Sequence, residues 1–317
     1  MPSYFFNSTR NAHKSITDLY DFVWPTAAAM WNLRWQVVGY LQIVPHATVK
    51  QLDSRFTEGT NITGVNYTRS CIEHTWDQQK EIFAKIILIN VIAIYEGWLE
   101  EVLTNLDSKI KHLVKALQFP EGSNGNTKTK GIRTGINELT SVESDVLKKN
   151  FYSTFCNDRR YALAKLDAIL LCYRFFKELR NCDMHGGGIA GQKLVDAYKN
   201  FLPIATTSDL GVKEIPKHHQ VVLGSKIKVN LRGVVGFSDI ILRLITTLDA
   251  ELSRSKGAEK EFIKSWQQIH SKPITLPNDK KRRKNRIIRM VKKVGYPEPK
   301  MPEELEDWLK KMGLVRL

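Results

Sequence analysis

Cysteine is scarce in this chain and scattered, at Cys71, Cys156, Cys172 and Cys182, with no CxxC pair. That argues against a disulfide framework or a zinc site and fits free thiols in a reducing cytoplasm. Acid is also in short supply: 33 Asp and Glu stand against 48 Lys and Arg, a net charge of +15. The imbalance favours a polyanionic partner, nucleic acid first and an acidic membrane surface second. No run reads as long enough to span a bilayer. The most apolar one, Ile86 to Tyr95, is interrupted by Asn90 and preceded by Lys85, so it reads as a buried helix and no membrane partner is expected. The opening MPSYFFNSTRN lacks a basic segment followed by an apolar one, so no secretion signal is read and a cytoplasmic location is expected. Also missing are a Gly-rich phosphate loop ending in Lys-Ser or Lys-Thr, a dinucleotide fingerprint, HExxH and a Gly-x-Ser-x-Gly elbow. ATP-driven, hydride-transfer and zinc-hydrolase chemistries therefore lack support, and neither cofactor nor metal is expected.

What is present is organised around Arg180-Asn181-Cys182-Asp183-Met184-His185, followed by Gly186-Gly187-Gly188. Upstream, Leu163, Leu166, Leu170, Tyr173 and Phe176 recur at spacings of three and four. That period predicts a long helix whose last turns carry the motif and which the glycines end. Asn181 and His185 then share a face, and Arg180 lies about 140° round from His185. The arginine's length and its guanidinium fork still let it reach a phosphate held over that face. An arginine, an amide and a histidine converging on one anion suit metal-free phosphodiester chemistry. The plainer reading is equally concrete: Arg and His near a helix C-terminus complement its dipole, and glycine is a common stop.

The 317 residues, 42% hydrophobic, suffice for one large or two ordinary domains. Residues 1–72 read as an appended helical region. Ala27 to Leu41 is an apolar helix with Pro25 at its start, and Thr48 to Phe56 is a short second helix. That pair is either a small nucleic-acid reader or a packing element. Residues 73–256 read as the catalytic domain. Its first helix, Trp76 to Leu106, carries Glu96, a carboxylate that needs a partner in apolar surroundings. Glu96 either orients a catalytic group or Arg180, or is an ordinary ion-pairing residue. Phe119 to Gly131 is a loop by composition. Alternation around Gly224-Ser225 predicts a small β-hairpin, with His218 and His219 as loop histidines, and Val234 to Leu252 is a closing amphipathic helix.

Residues 257–317 read as a basic extension. Lys280, Lys281, Arg282, Arg283, Lys284, Arg286, Arg289, Lys292 and Lys293 carry nine positive charges with no intervening acid. They are either a nucleic-acid-binding tract or a solvated face. A last amphipathic helix begins at Pro302, carries Leu305, Trp308, Leu309 and Met312, and stops at Gly313. It is expected to dock on the body or on a second subunit.

The Arg180-Asn181-x3-His185 arrangement at the end of a long helix resembles the signature of the HEPN superfamily of all-helical RNA-cutting domains. The earlier helix, with Tyr95-Glu96-Gly97-Trp98-Leu99, resembles the acid-bearing first helix of many members, and the resemblance covers roughly Trp76 to Leu252. It implies a mainly α, HEPN-like bundle with a small hairpin insertion and terminal extensions. It further implies a metal-independent endoribonuclease, a toxin or antiviral effector, that acts on RNA as a homodimer with a composite active site. His185 would be general base or acid, Arg180 would stabilise the phosphorane-like transition state, and Asn181 would hold the histidine or phosphate. Products would end in 2′,3′-cyclic phosphate, and an inhibitory or activating protein partner is implied. Some family toxins carry a modifiable tyrosine two positions after the histidine. Gly187 stands there, so that mode of silencing is not expected. The alternative is a non-catalytic HEPN-like nucleic-acid or nucleotide-binding module, or a subunit of a larger RNA–protein complex.

Overall fold

A computed structural model describes residues 4–106, 111–124 and 127–317. The architecture is mainly α. Helix α1 runs unbroken from Asn7 to Ile43 with Pro25 inside it. The expectation that Pro25 starts a helix is therefore corrected. The hydrogen bond that proline removes lies on a stretch exposed to water, and the Thr26 hydroxyl donates to the Phe22 carbonyl beside it (2.7 Å). Helix α2 (Val49–Thr57) follows, opened by a capping box between Thr48 and Gln51.

Helix α3 (Trp76–Asn105) starts on a second such box, Thr75 with Gln78. By length and composition it could cross a membrane, contrary to the reading of its sequence. Its polar interruptions are met: Lys85 Nζ lies 2.6 Å from Asp183, far off in sequence, and the Asn90 amide donates to the Ile86 carbonyl in its own helix (2.8 Å). In the fold it packs chiefly against α1, α8 (Leu166–His185) and α11 (Leu231–Leu252). Between α3 and α8 come α4 (Lys111–Ala116), the strand pair β1 (Gly122–Asn124) and β2 (Thr127–Thr129), α5 (Ile132–Leu139), α6 (Asp145–Leu147) and α7 (Ser153–Cys156). The antiparallel β1–β2 pair thus falls where composition suggested a plain loop. Residues 125–126 of that loop lie outside the described residues.

Helices α9 (Gln192–Phe201) and α10 (Thr207–Leu210) lead to the stretch 216–230 before α11. The hairpin expected there does not form. Its turn exists, with the Ser225 N–H donating to the Val222 carbonyl (3.1 Å) and Gly224 at φ 76°. Its backbone pairs instead with the loop after α8. Ala190 N–H donates to Ser225 O (2.9 Å), Gly224 N–H to Ala190 O (2.9 Å) and Ile227 N–H to Gly188 O (2.8 Å). The loop leaving α8 has unpaired backbone groups of its own, and pairing the two segments satisfies both. The first turn of α11 fixes the other end of this stretch. A Cβ on Gly233 would sit 1.8 Å from the Lys217 carbonyl oxygen, so only glycine lets the backbone pass there.

The chain ends with α12 (Ala258–Ile269), β3 (Ile274–Thr275), α13 (Lys280–Val294), α14 (Pro302–Lys311) and β4 (Val315–Arg316), which pairs parallel with β3. Asp279 caps α13 by accepting from the Arg282 N–H (2.7 Å), and α14 opens on Pro302 with Glu303 and Glu304 in its first turn. Of the two docking options for α14, the body is the one seen. Leu305 and Leu309 are fully buried, and the Met301 N–H donates to Asn150 Oδ1 (2.9 Å).

One continuous apolar core joins Phe5, Phe6 and Ile16 to α3, α8 and α11, and these to Ile287, Leu305 and Leu309. Boundaries drawn after residues 72 and 256 therefore do not coincide with breaks in the packing. Among the described residues, the far part of α1, with α2, has a small core of its own, around Val37, Leu52, Tyr67 and Cys71. The N-terminal anchor is polar as well as apolar. Phe5 and Phe6 donate their N–H groups to the Asp249 carboxylate in α11, at 2.7 and 3.0 Å.

Candidate active site

Burial of Leu166, Ile169, Leu170, Tyr173 and Phe176 fixes α8 in the core and leaves its motif on the last turns. Gly186 and Gly188 both donate their N–H to the Cys182 carbonyl (3.0 Å each), while Gly187 and Gly188 adopt φ of 60° and 76°. The glycines thus end the helix, as their spacing predicts, because left-handed backbone costs a side-chain-bearing residue about 1–2 kcal/mol.

The motif's arginine meets the carboxylate of α3. Arg180 Nη2 lies 3.1 Å from Glu96 Oε2, and Lys177 Nζ lies 2.5 Å from Glu96 Oε1. Both cations are mostly shielded, at 19% and 17% side-chain exposure, against 28% for Glu96. Lys177 also donates to Gln118 Oε1 (2.5 Å), and the Tyr173 hydroxyl reaches Glu96 Oε1 and Gln118 Oε1 at 3.3 Å each. Burial, together with the Glu96 charge, pushes the Tyr173 phenol well up, so it remains a hydrogen-bond donor. The Arg180 Nε is buried and has no hydrogen-bond partner among the described residues. Two cations on one carboxylate leave a local charge of +1 behind the last turn of α8.

The other motif residues part company. Asn181 Nδ2 donates to Glu178 Oε2 (3.3 Å), and Glu178 also takes an ion pair from Arg174, whose guanidinium lies 4.2 Å from the Phe119 ring centroid. Asp183 pairs with Lys85. His185 is exposed, and its ring makes no hydrogen bond among the described residues. Of the four candidate catalytic residues, Glu96 and Arg180 are brought together. Asn181 is turned to its own helix, and His185 stands free one turn on. The expected convergence of Arg180, Asn181 and His185 on one point is not a feature of the single chain.

Sequence reasoning missed Lys177 and Gln118. Lys177 was findable, since it precedes Arg180 by three and therefore shares its helix face. Gln118 comes from a segment with no periodic signal. The 216–230 stretch adds charge beside the motif. Ile189 bridges Lys226, which puts exposed Lys226 and Lys228 next to the glycine loop, and exposed Lys217 and His219 share that cleft. His218 is structural: its Nδ1 lies 3.0 Å from the Pro216 carbonyl, and its ring packs edge-on to Phe175, Tyr198 and Phe201.

The nine basic residues of α13 lie elsewhere. That helix packs on α12 and α14, whereas α8 packs on α3, α9, α10 and α11. Among the described residues, no three His, Cys, Asp or Glu side chains gather in the manner of a metal site. Comparison with protein-family models, with curated proteins and with solved structures gives no match.

Proposed function

We propose that this chain is a metal-independent endoribonuclease of HEPN type, acting as a toxin or antiviral effector. The observation that carries the reading is Arg180. It is half-buried and pinned by Glu96, five residues before an exposed histidine at a helix end. A phosphate is a natural partner for a guanidinium, and Lys177, on the same carboxylate, adds positive charge beside it. His185 takes the proton from a ribose 2′-hydroxyl, and the 2′-oxygen attacks phosphorus as the P–O5′ bond breaks. Arg180 stabilises the charge that gathers on the phosphoryl oxygens. The departing 5′-oxygen takes its proton from a second His185, supplied by a two-fold-related copy, so the working site is composite. The products are a 2′,3′-cyclic phosphate and a 5′-hydroxyl.

The test is substrate chemistry. An RNA with a single 2′-deoxy residue at a mapped cut site should resist cutting at that bond alone, and the unmodified RNA should yield cyclic phosphate ends. Cutting of the deoxy-substituted bond would overturn the reading. A non-catalytic nucleic-acid-binding module is the second reading. It is favoured by the existing Glu96–Arg180 pair, which already occupies much of the arginine in the absence of substrate.

A further inference from the structure

Helix α13 carries nine cations, but α14 and the turn leading to it do not leave them equal. Arg283 Nε lies 2.8 Å from Glu306, Lys284 Nζ 3.1 Å from Glu303, and Lys292 Nζ 2.6 Å from Glu298. Arg283 and Glu306 are largely shielded, at 19% and 9% side-chain exposure. These three cations are therefore engaged in holding α13 to α14 and to the turn between them. Arg282, Arg286, Arg289 and Lys293 are exposed and, as with Lys280 and Lys281, their side chains have no ion pair or hydrogen bond among the described residues. Lys280 and Lys281 lie about 160° and 100° round the helix from Arg282, off the line of the other four.

Their spacing of four, three and four places them within about 60° of one another around the helix. They form a straight row about 16 Å long at 1.5 Å per residue. Ile287, Val291 and Val294 lie on the opposite side and are buried in the core, so the row cannot turn inward. Three of the four are arginines, whose forked donors suit phosphate oxygens. An acidic membrane is a poorer fit. A helix that lies in a membrane surface needs its apolar face free for lipid, and here that face is taken up by the protein.

We infer that this row, and not the basic segment as a whole, is a track for the phosphate backbone of an RNA strand. The inference rests on the ribonuclease reading, which supplies RNA as the strand. The track is on a different part of the fold from the Arg180 motif, so it holds substrate without touching the scissile bond.

The experiment measures binding of a labelled single-stranded RNA across a salt series, in a His185→Ala background so that the RNA stays intact. Each phosphate contact contributes about −0.7 to the slope of log K against log salt for single strands. Replacing Arg282, Arg286, Arg289 and Lys293 together by Gln should make the slope shallower by about 3. Lys284→Gln with Lys292→Gln should change it by less than about 1, since those amines are already engaged. All six side chains are exposed, and circular dichroism checks that both variants fold. An unchanged slope in the fourfold variant, or an equal change in the control, overturns the track. So does a loss confined to duplex DNA or to phosphatidylserine vesicles while RNA binding is kept. The two proposals fail separately. Wild-type protein that never cuts RNA, with an RNA-binding loss in the fourfold variant, removes the nuclease and keeps the track; cutting with unaltered RNA binding does the reverse.

Discussion

Glu96 holds two half-buried cations, and removing it leaves both without their carboxylate. Glu96→Ala should therefore lower stability by about 1–3 kcal/mol, measured by urea denaturation. Glu96→Gln, which keeps an acceptor for Arg180, should cost less than the alanine. Equal losses would mean that the pair contributes volume and not charge. Asp249 makes the clearest pH prediction. Burial raises its carboxyl from 3.8 to about 6, against the opposing pull of the Phe5 and Phe6 N–H groups. Because the folded value lies above the unfolded one, the unfolded chain gives up the proton first as pH rises. Stability owed to this group is full below about pH 4 and declines to about pH 6, by roughly 3 kcal/mol in all. Asp249→Asn should remove that slope. His13 works the other way: burial, aided by Arg160, lowers its imidazole to about 4, so its contribution falls as pH drops from 6.5 toward 4. The two groups oppose each other in the same window. The measurement is therefore the difference between wild type and Asp249→Asn, and a difference that does not vary with pH would refute the account.

At the scale of elements, the terminal helix is a structural member and not a tail. Leu309 is fully buried in the common core, so Leu309→Ala should cost about 2–5 kcal/mol and should move the whole unfolding transition. A separate early transition, with the remainder unchanged, would show that the extension folds apart. The α14 helix was legible in the sequence because Pro302, the first-turn acids and Gly313 are local signals that each act on their own backbone. The α8 helix, with its motif and its glycine stop, was legible for the same reason. The course of Pro25 and of 216–230 was not. Whether a proline starts or merely interrupts a helix depends on what the chain before it packs on, and here Ala12, Ile16 and Val23 are tied into the core. Whether an alternating stretch pairs with itself depends on which other backbone is unpaired nearby, and here residues 188–190 were. Gly233 shows the same limit: its need for glycine comes from Lys217, sixteen residues away in sequence.

At the scale of the molecule, one core reaches from Phe5 to Leu309, and basic residues lie outside it along α13 and around the end of α8. Charge asymmetry in the composition pointed to a polyanion, yet it could not say which cations were already paired, because the partners in α14 are 19 or more residues from Lys284 and Arg283 in sequence. The candidate site was legible as far as Arg180 and Glu96, since each stood out against its own helix. Gln118 was set by packing between segments, whereas Lys177 lies three residues from Arg180 and the turning of Asn181 toward Glu178 stays within α8. The central claim is that Arg180 and His185 perform chemistry on RNA. It is tested most directly by incubating a mixed RNA pool with wild type, Arg180→Ala and His185→Ala in EDTA. The account predicts EDTA-resistant cutting by wild type and a loss of about 10²–10⁴ in rate in His185→Ala. A comparable loss is expected in Arg180→Ala, with both variants folded. Cutting that survives both substitutions would contradict it and leave the motif as no more than the end of a helix.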